Sequence, residues 1–417
     1  MSPAGEIRQQ TERYLSSFRE LNGGAPPWLG RLREEGAAAF AALGFPTTRL
    51  EDWKYTSVAP IASTPFRRPP AGDGGGRATA AAAGEARLGV GAELVFVNGR
   101  LAPALSSVSG LPPGVVVGGL AEALRIRPDL VEAHLGRVAP PGDESFTALN
   151  TAFLEDGALV HVPRGMAVGE PVHLVFLSLP QAEPVMSSPR ILVIAEENAA
   201  VDVVESFFAG GEGGYLTNVA TEIVVGRNAS VSHCKVQRES ERAFHVAIVA
   251  ARQEASSRFS SQSISLGAAL ARNDVRTALE GEGAECTLDG LYVASGAQHV
   301  DHHTTIDHRR PRCSSRELYK GVLDGRSTGV FNGKVYVRAD AQKSDARQAN
   351  KNLLLSDSAT VNTKPELQIL ADDVKCSHGA TIGRLDENAL FYLRSRGIDA
   401  ETARRLLIHA FSNELVD

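Results

Sequence analysis

Asn198-Ala-Ala-Val201, Asn228-Ala-Ser-Val231, Gly283-Ala-Glu-Cys286, Ser327-Thr-Gly-Val330 and Ser358-Ala-Thr-Val361 share one form. A turn residue leads to a small residue, a small or polar residue, and then an apolar one that opens a strand-like run. A looser copy stands at Glu254-Ala-Ser-Ser257. The second position recurs 30, 26 and 29 residues apart through Ala199, Ala229, Ala255 and Ala284, and 31 apart at Thr328 and Ala359. Between Ala284 and Thr328 the gap is 44 residues, which reads as a longer coil holding a histidine-rich insertion. Self-similarity at this period, in sequence of strand type, fits coils that stack their apolar edges into one continuous core, a β-solenoid. A β-sandwich whose turns resemble one another by coincidence is the alternative.

Outward from the repeats, residues 146–384 read as the strand-rich body. Residues 94–145 form a mixed α/β transition. In it Val95-Phe-Val-Asn98-Gly99-Arg-Leu101 is a hairpin, because Asn-Gly takes the positive φ of a type I′ turn, and Gly119 to Leu135 is a helical interlude. Residues 1–68 are a helical head. Ile7, Thr11, Tyr14, Leu15 and Phe18 share one face between Glu6 and Leu21, and a second helix runs from Pro27 to Leu43 and ends at Gly44. Residues 69–93, which open with Gly/Ala/Pro-rich sequence up to Gly84, read as a mobile linker. The tail, 385–417, returns to helix. Leu385 to Arg396 ends at Gly397, and Asp399 caps a last helix whose Ala403, Leu406, Leu407, Ala410 and Phe411 form one stripe. So short a tail cannot hold its own core and must dock on the body or on another protein.

Composition narrows the function classes. A formal charge of −6 lacks the basic footprint of a nucleic-acid binder, and no run of about 18 apolar residues points to a membrane span. Cys234, Cys286, Cys313 and Cys376 stand far apart with no C-x-x-C pair, which fits a reducing cytoplasm and excludes a local four-thiolate site. Gly329-Val-Phe-Asn-Gly333-Lys334-Val335 looks like a P-loop but has three residues between its glycines and no Ser or Thr after the lysine, so no nucleotide is expected here.

Two segments carry potential ligands. His299-Val-Asp-His302-His303-Thr-Thr-Ile-Asp-His308 is the denser, yet adjacent strand residues point to opposite faces, so His302 and His303 cannot share a metal; outward-facing polar positions are the reading preferred. Lys375-Cys376-Ser377-His378 is more pointed. Two apart on a strand, Cys376 and His378 project from one face, and thiolate with imidazole suits iron or zinc. Two ligands are half a site, so any cluster here needs donors from distant residues or another subunit; on spacing alone, a structural cysteine and a surface histidine are the reading preferred. The carboxylates Asp340, Asp345, Asp357, Asp372 and Asp373 lack the fixed pairing that a glycoside-cleaving enzyme needs and read as solvated turn residues.

Several stretches together resemble the SufB/SufD family. They are Tyr319-Lys-Gly-Val-Leu323, Phe331-Asn-Gly-Lys334, Gln348-Ala-Asn-Lys-Asn-Leu-Leu-Leu-Ser356, Pro365-Glu-Leu-Gln-Ile369 and Lys375-Cys-Ser-His-Gly-Ala-Thr381. The tail from Phe391 to Phe411, Leu149-Asn-Thr-Ala-Phe153, Val162 to His173 and Glu51-Asp-Trp-Lys-Tyr-Thr56 fit as well. The Lys-Cys-Ser-His-Gly-Ala-Thr form is that of the SufD branch, where the SufB branch carries Cys-Glu-His-Glu-Ala-Thr. The resemblance implies a mainly β protein, a right-handed parallel β-helix (β-solenoid) core with N-terminal and C-terminal helical segments. It implies a non-catalytic cytoplasmic scaffold paired with SufB, a transient iron–sulfur cluster shared at that interface, and the ATPase SufC docked on the tail at Ala403, Leu406, Leu407, Ala410 and Phe411. His378 becomes the cluster-side ligand or electrostatic contributor, with Cys376 close by; a homodimer is possible without SufB. A polysaccharide-cleaving β-helix enzyme and a purely structural partner without metal contact are the alternatives.

Overall fold

The computed structural model describes residues 3–16, 26–70 and 77–415. Nine α-helices are found among the described residues: α1 (Pro3–Ser16), α2 (Pro27–Leu43), α3 (Ala59–Ser63), α4 (Arg77–Ala86), α5 (Leu120–Ile126), α6 (Pro128–His134), α7 (Ser145–Ala152), α8 (Glu387–Ser395) and α9 (Ala400–Ser412). The strands begin with β1 (Ala92–Val97), β2 (Arg100–Leu101), β3 (Ser107–Val108), β4 (Val116–Gly119), β5 (Gly157–Val162), β6 (Val172–Ser178) and β7 (Met186–Ser187). They continue as β8 (Arg190–Ala195), β9 (Ala200–Ala209), β10 (Leu216–Val225), β11 (Ser230–Arg238), β12 (Phe244–Gln253), β13 (Arg258–Ser265) and β14 (Leu270–Leu279). Last come β15 (Glu285–Ala294), β16 (His299–His308), β17 (Ser314–Leu323), β18 (Thr328–Val337), β19 (Asp345–Leu354), β20 (Thr360–Ile369) and β21 (Lys375–Gly383).

From β5 onward each coil gives one strand to each of two parallel sheets, so the body is a parallel β-solenoid. One sheet, the even-strand sheet from β8 onward, runs β20-β18-β16-β14-β12-β10-β8-β5, and the other, the odd-strand sheet from β9 onward, runs β6-β9-β11-β13-β15-β17-β19-β21. One corner explains the repeat. Asn198, Asn228, Ser256, Gly283, Arg312 and Lys343 all take positive φ, between 56° and 70°, and turn the chain into the next odd strand. Each sends its backbone N–H to a carbonyl of the following coil, Asn198 to Arg227, Asn228 to Ala255 and so on to Lys343 with Asp373. Behind each sits a small buried residue: Ala199, Ala229, Ser257, Ala284, Cys313 and Ser344.

That corner corrects the count. Ser327 and Ser358 open β18 and β20 of the opposite sheet, so the 44-residue gap spans one and a half coils and holds no insertion. The histidine-rich segment is β16, paired along all ten of its residues with β14 and β18. The true successors of Gly283 are Arg312 and Lys343.

The solenoid has one closed end and one open end. At the closed end β1 joins β6 in parallel while β2 and β3 fold back on it antiparallel, and β4 lies antiparallel on β5. Asn98 and Gly99, φ 49° and 84°, make the expected hairpin turn. The helical interlude is two helices, α5 and α6, divided where Pro128 cannot continue the first. Alanine-rich residues 77–86 are helix α4, where the linker was expected; Ala83 and Ala86 pack against Val95, Val175 and Leu177. Alanine is the best helix former, and here its small side chain also suits a close approach to the sheet. Helix α7 likewise occupies the first residues of the expected body, 146–152. A Cβ on Gly36 of α2 would come within 2.7 Å of the Ala152 nitrogen, so only glycine allows this helix crossing. Phe18 and Leu21 of the expected first helix lie outside the described residues.

Inside the early coils the core is apolar, with Phe96, Phe176 and Phe207 stacked at 4.8 Å from ring to ring. The tail docks on the flank of the odd-strand sheet. Lys320 Nζ donates to the Phe411 carbonyl at 2.7 Å and pairs with Glu414 at 2.6 Å, and Gln262 reaches the Leu415 carbonyl. Asp386 and Asp399 cap α8 and α9 through the Asn388 and Thr402 amides, and Gly397 carries φ 86°.

Candidate functional site

The open end is where Cys376 and His378 lie. Both are on β21, the final odd strand, and neither β21 nor β20 has a neighbour on its far edge among the described residues. In-register pairing makes columns of side chains along the solenoid. Cys376 follows Cys286, Ser315 and Ala346, and packs on the interior core; His378 follows Ser261, Leu288, Glu317 and Gln348. The pair therefore faces the lumen side of a coil that no strand covers among the described residues. Cys376 is half-buried and His378 exposed.

Burial pushes the Cys376 thiol above its ordinary value, with the nearby Asp345 charge adding to it and a backbone hydrogen bond opposing. The thiolate is the metal-binding form, so a cation must arrive to draw the proton off. Among the described residues no three His, Cys, Asp or Glu side chains converge as a metal site. Cys376 and His378 together remain two donors at the rim of an open coil.

The denser histidine cluster does other work. His302 and His303 do point to opposite faces, but neither is a free surface group. His302 is interior, stacked on Tyr292 at 5.3 Å, and its pKa is driven by burial down to about 3. His308, also interior, bonds the Ser315 hydroxyl at 2.9 Å and falls to about 4 for the same reason. Both stay neutral at pH 7. On the outer face His299 meets the Thr56 hydroxyl at 2.9 Å and His303 meets Asp301 at 3.1 Å. The outward reading of the whole segment is thus corrected: half of it lines the core, and in the outer half His299, Asp301 and His303 lie under the helical head while Asp307 pairs with Arg309 and Arg338.

That head contact also accounts for Glu51-Asp-Trp-Lys-Tyr-Thr56. The Arg272 guanidinium lies 3.8 Å from the centre of the Trp53 ring and bonds Asp274 at 2.9 Å and Asp301 at 2.8 Å. Thr56 donates to Asp301 at 2.5 Å, Glu51 pairs with Lys364 at 2.6 Å, and Asp52 pairs with Lys334. The segment clasps the head to strands β14 through β20.

Sequence reasoning missed the polar floor beneath the last coil. Tyr292, Tyr319, Asn350 and Asn352 meet there: Tyr292 donates to Asn352, Asn352 donates to Asn350 at 2.6 Å, and Asn350 donates to the Tyr319 carbonyl at 3.2 Å. Its signal was available as Gln348-Ala-Asn-Lys-Asn352, polar residues at period two on a strand. The expected solvated carboxylates are mostly ion-paired at the surface, Asp345 with Arg347, Asp357 with Arg384 and Asp373 with Lys343.

Comparison with known proteins meets this geometry. Residues 178–411, the solenoid and tail, match the family model "SUF system FeS cluster assembly, SufBD core domain", and residues 90–174 match the SufBD N-terminal region. The chain belongs to the SufBD family. An iron–sulfur cluster assembly SufBD family protein of Synechocystis is 36% identical, covering 98% of this chain and 92% of its own. The iron–sulfur cluster assembly protein SufD of Escherichia coli is 32% identical, over 90% of this chain and 85% of that one. SufD of Bacillus subtilis is 28% identical, over 97% and 93%. Membership in SufBD ties the chain to iron–sulfur cluster assembly in the SUF system. No helix of the described residues is long and apolar enough to cross a membrane.

Proposed function

We propose that this SufBD protein is a non-catalytic cytoplasmic scaffold subunit whose open solenoid end meets a SufB-type partner and shares a nascent iron–sulfur cluster with it. One observation carries the reading: among the described residues Cys376 and His378 sit on an uncovered coil, as two donors without a third. A cluster is the cargo, and the partner supplies the other ligands. Thiol and imidazole are suitable donors to iron, and exposed Ile369, Leu370 and Ile382 at the same end suit a protein neighbour. A homodimer through this end is expected when no SufB-type chain is present.

The tail is the docking element for a SufC-type ATPase. Of its stripe, Ala403 is buried and Phe411 turns toward Lys320, whereas Leu406 and Ala410 face outward. Phe391 at 73% and Tyr392 at 58% exposure on α8, and Leu406 at 47% on α9, are apolar groups left open on the two tail helices. Closure of an ATPase pair would pull on two such tails, shift the solenoids and open or close the shared site.

A polysaccharide-cleaving enzyme finds little support. The cleft of about 340 Å³ on the outer face of the even-strand sheet is lined by Asp143, Glu144, Glu280 and Asp307, and the last three are held by arginines: Arg276, Arg309, and Arg309 with Arg338. The test is co-purification with SufB- and SufC-type partners, followed by anaerobic iron and sulfide analysis. His378→Ala is expected to leave the complex intact and empty of most of its iron and sulfide. Full loading of that variant would leave only the structural-partner role.

A further inference from the structure

Gln348 and Glu317 stand directly below His378 in the interior column, one and two coils down. Both are buried, and Gln348 Nε2 donates to Glu317 Oε2 at 2.6 Å. A side-chain amide has one donating and one accepting end. With its NH₂ turned to the carboxylate, the amide presents Oε1 elsewhere, and that oxygen is buried without a hydrogen-bond donor among the described residues. The amide has little room to move. A Cβ on Gly333, in the neighbouring even strand, would come within 2.1 Å of its Nε2, so glycine is what lets the amide lie there.

A buried acceptor lacking a donor thus adjoins a rung whose side chain is a histidine. Parallel strands are about 4.8 Å apart, within reach of an imidazole that turns inward. An imidazole that donates from one nitrogen is fixed as the tautomer whose other nitrogen is bare, and only a bare nitrogen binds metal.

We propose that Gln348, held by Glu317, is a positioning residue for His378. Its Oε1 accepts a hydrogen bond from one imidazole nitrogen and leaves the other, unprotonated, directed out of the solenoid end toward the cluster. The inference rests on the reading of His378 as a cluster-side residue. It gives a task to Gln348 that the polar floor of Asn350 and Asn352 does not share, because those amides already bond each other and the Tyr319 carbonyl.

The test separates the two ideas. In the full chain, ring ¹⁵N shifts of His378, assigned with His378→Ala, report its tautomer. Wild type is expected to hold one tautomer. Gln348→Met, which keeps the length and removes both polar ends, is expected to give the mixture of a free imidazole. Glu317→Gln, which lets the amide sit either way round, is expected to give a weaker bias and serves if the methionine variant does not fold. In the complex with SufB- and SufC-type partners, Gln348→Met is expected to retain iron about tenfold less tightly or worse. An unchanged tautomer in both variants overturns the proposal, whatever the iron content. A shifted tautomer alongside full loading of His378→Ala upholds the hydrogen bond and sinks the assembly role of His378 instead.

Discussion

Burial decides the chemistry of single residues here more than sequence neighbours do. Glu317 is the sharpest case: desolvation pushes its carboxyl up to about 7 although the hydrogen bond from Gln348 pulls the other way. A group with a raised folded pKa binds more protons folded than unfolded, so stability falls as pH rises through the window between the two values. Below about 4.5 both states are protonated; from there to about 7 the folded state alone keeps the proton; above 7 the full cost stands. That cost is about 3 kcal/mol at most. Glu317→Gln keeps an acceptor for Gln348 and carries no charge, so it is expected to flatten this fall. Its melting temperature relative to wild type is expected to be higher at pH 8 than at pH 5. A difference from wild type that does not change with pH would mean Glu317 is ionised throughout. Cys376 and His378 were legible as a pair because period two is visible in sequence. The residues beneath them were not, since a column exists only once the register of four separate strands is fixed.

At the scale of elements, the solenoid corner couples a left-handed residue to a buried small one. Asparagine and glycine advertise the first requirement, which is why Asn198, Asn228 and Gly283 were readable. Arg312 and Lys343 meet it with φ 59° and 66° but give no sequence signal, and Cys313 and Ser344 replace alanine behind them. The repeat therefore vanished from view at one corner and reappeared at the other, half a coil out of step. Asn228 offers the test, because its side-chain amide also donates to Asn198 Oδ1 at 2.7 Å. Asn228→Ala is expected to cost about 1–2 kcal/mol, since alanine keeps the Cβ that meets the following carbonyl in this conformation and loses the amide that bonds Asn198. Asn228→Gly, free of that clash, is expected to cost less, and the order of the two in urea denaturation checks whether the backbone or the lost hydrogen bond dominates. The alanine-rich helix α4 was misread for the opposite reason: its composition suits both a linker and a helix, and only the apolar groove over Val95 and Val175 selects the helix.

The molecule as a whole is asymmetric, and the asymmetry is its strongest functional argument. Stacked coils need a cap wherever the stack stops, because the last coil otherwise exposes unpaired backbone groups and apolar side chains. At the first coils antiparallel strands β2, β3 and β4 with helices α5 and α6 supply that cap. At the last coil α8 and α9 could have done so, yet α9 is anchored by Lys320 to the flank of the odd-strand sheet. Strands β20 and β21 are left as edges, with Leu370 at 56% and Ile382 at 50% exposure. Such an end is expected to find a partner, another copy of this chain failing a SufB-type one. Lysine on an exposed edge opposes pairing by charge and by desolvation. The double change Leu370→Lys with Ile382→Lys is therefore expected to turn any dimer of the isolated chain into a monomer in light scattering. It is also expected to abolish co-purification with a SufB-type chain. The proposed ATPase docking on the tail should survive, because α9 is anchored on the flank of the solenoid and not across its end. Loss of both contacts together would point to a damaged last coil, and retention of the SufB-type partner would move the interface away from the open end and take the shared cluster site with it.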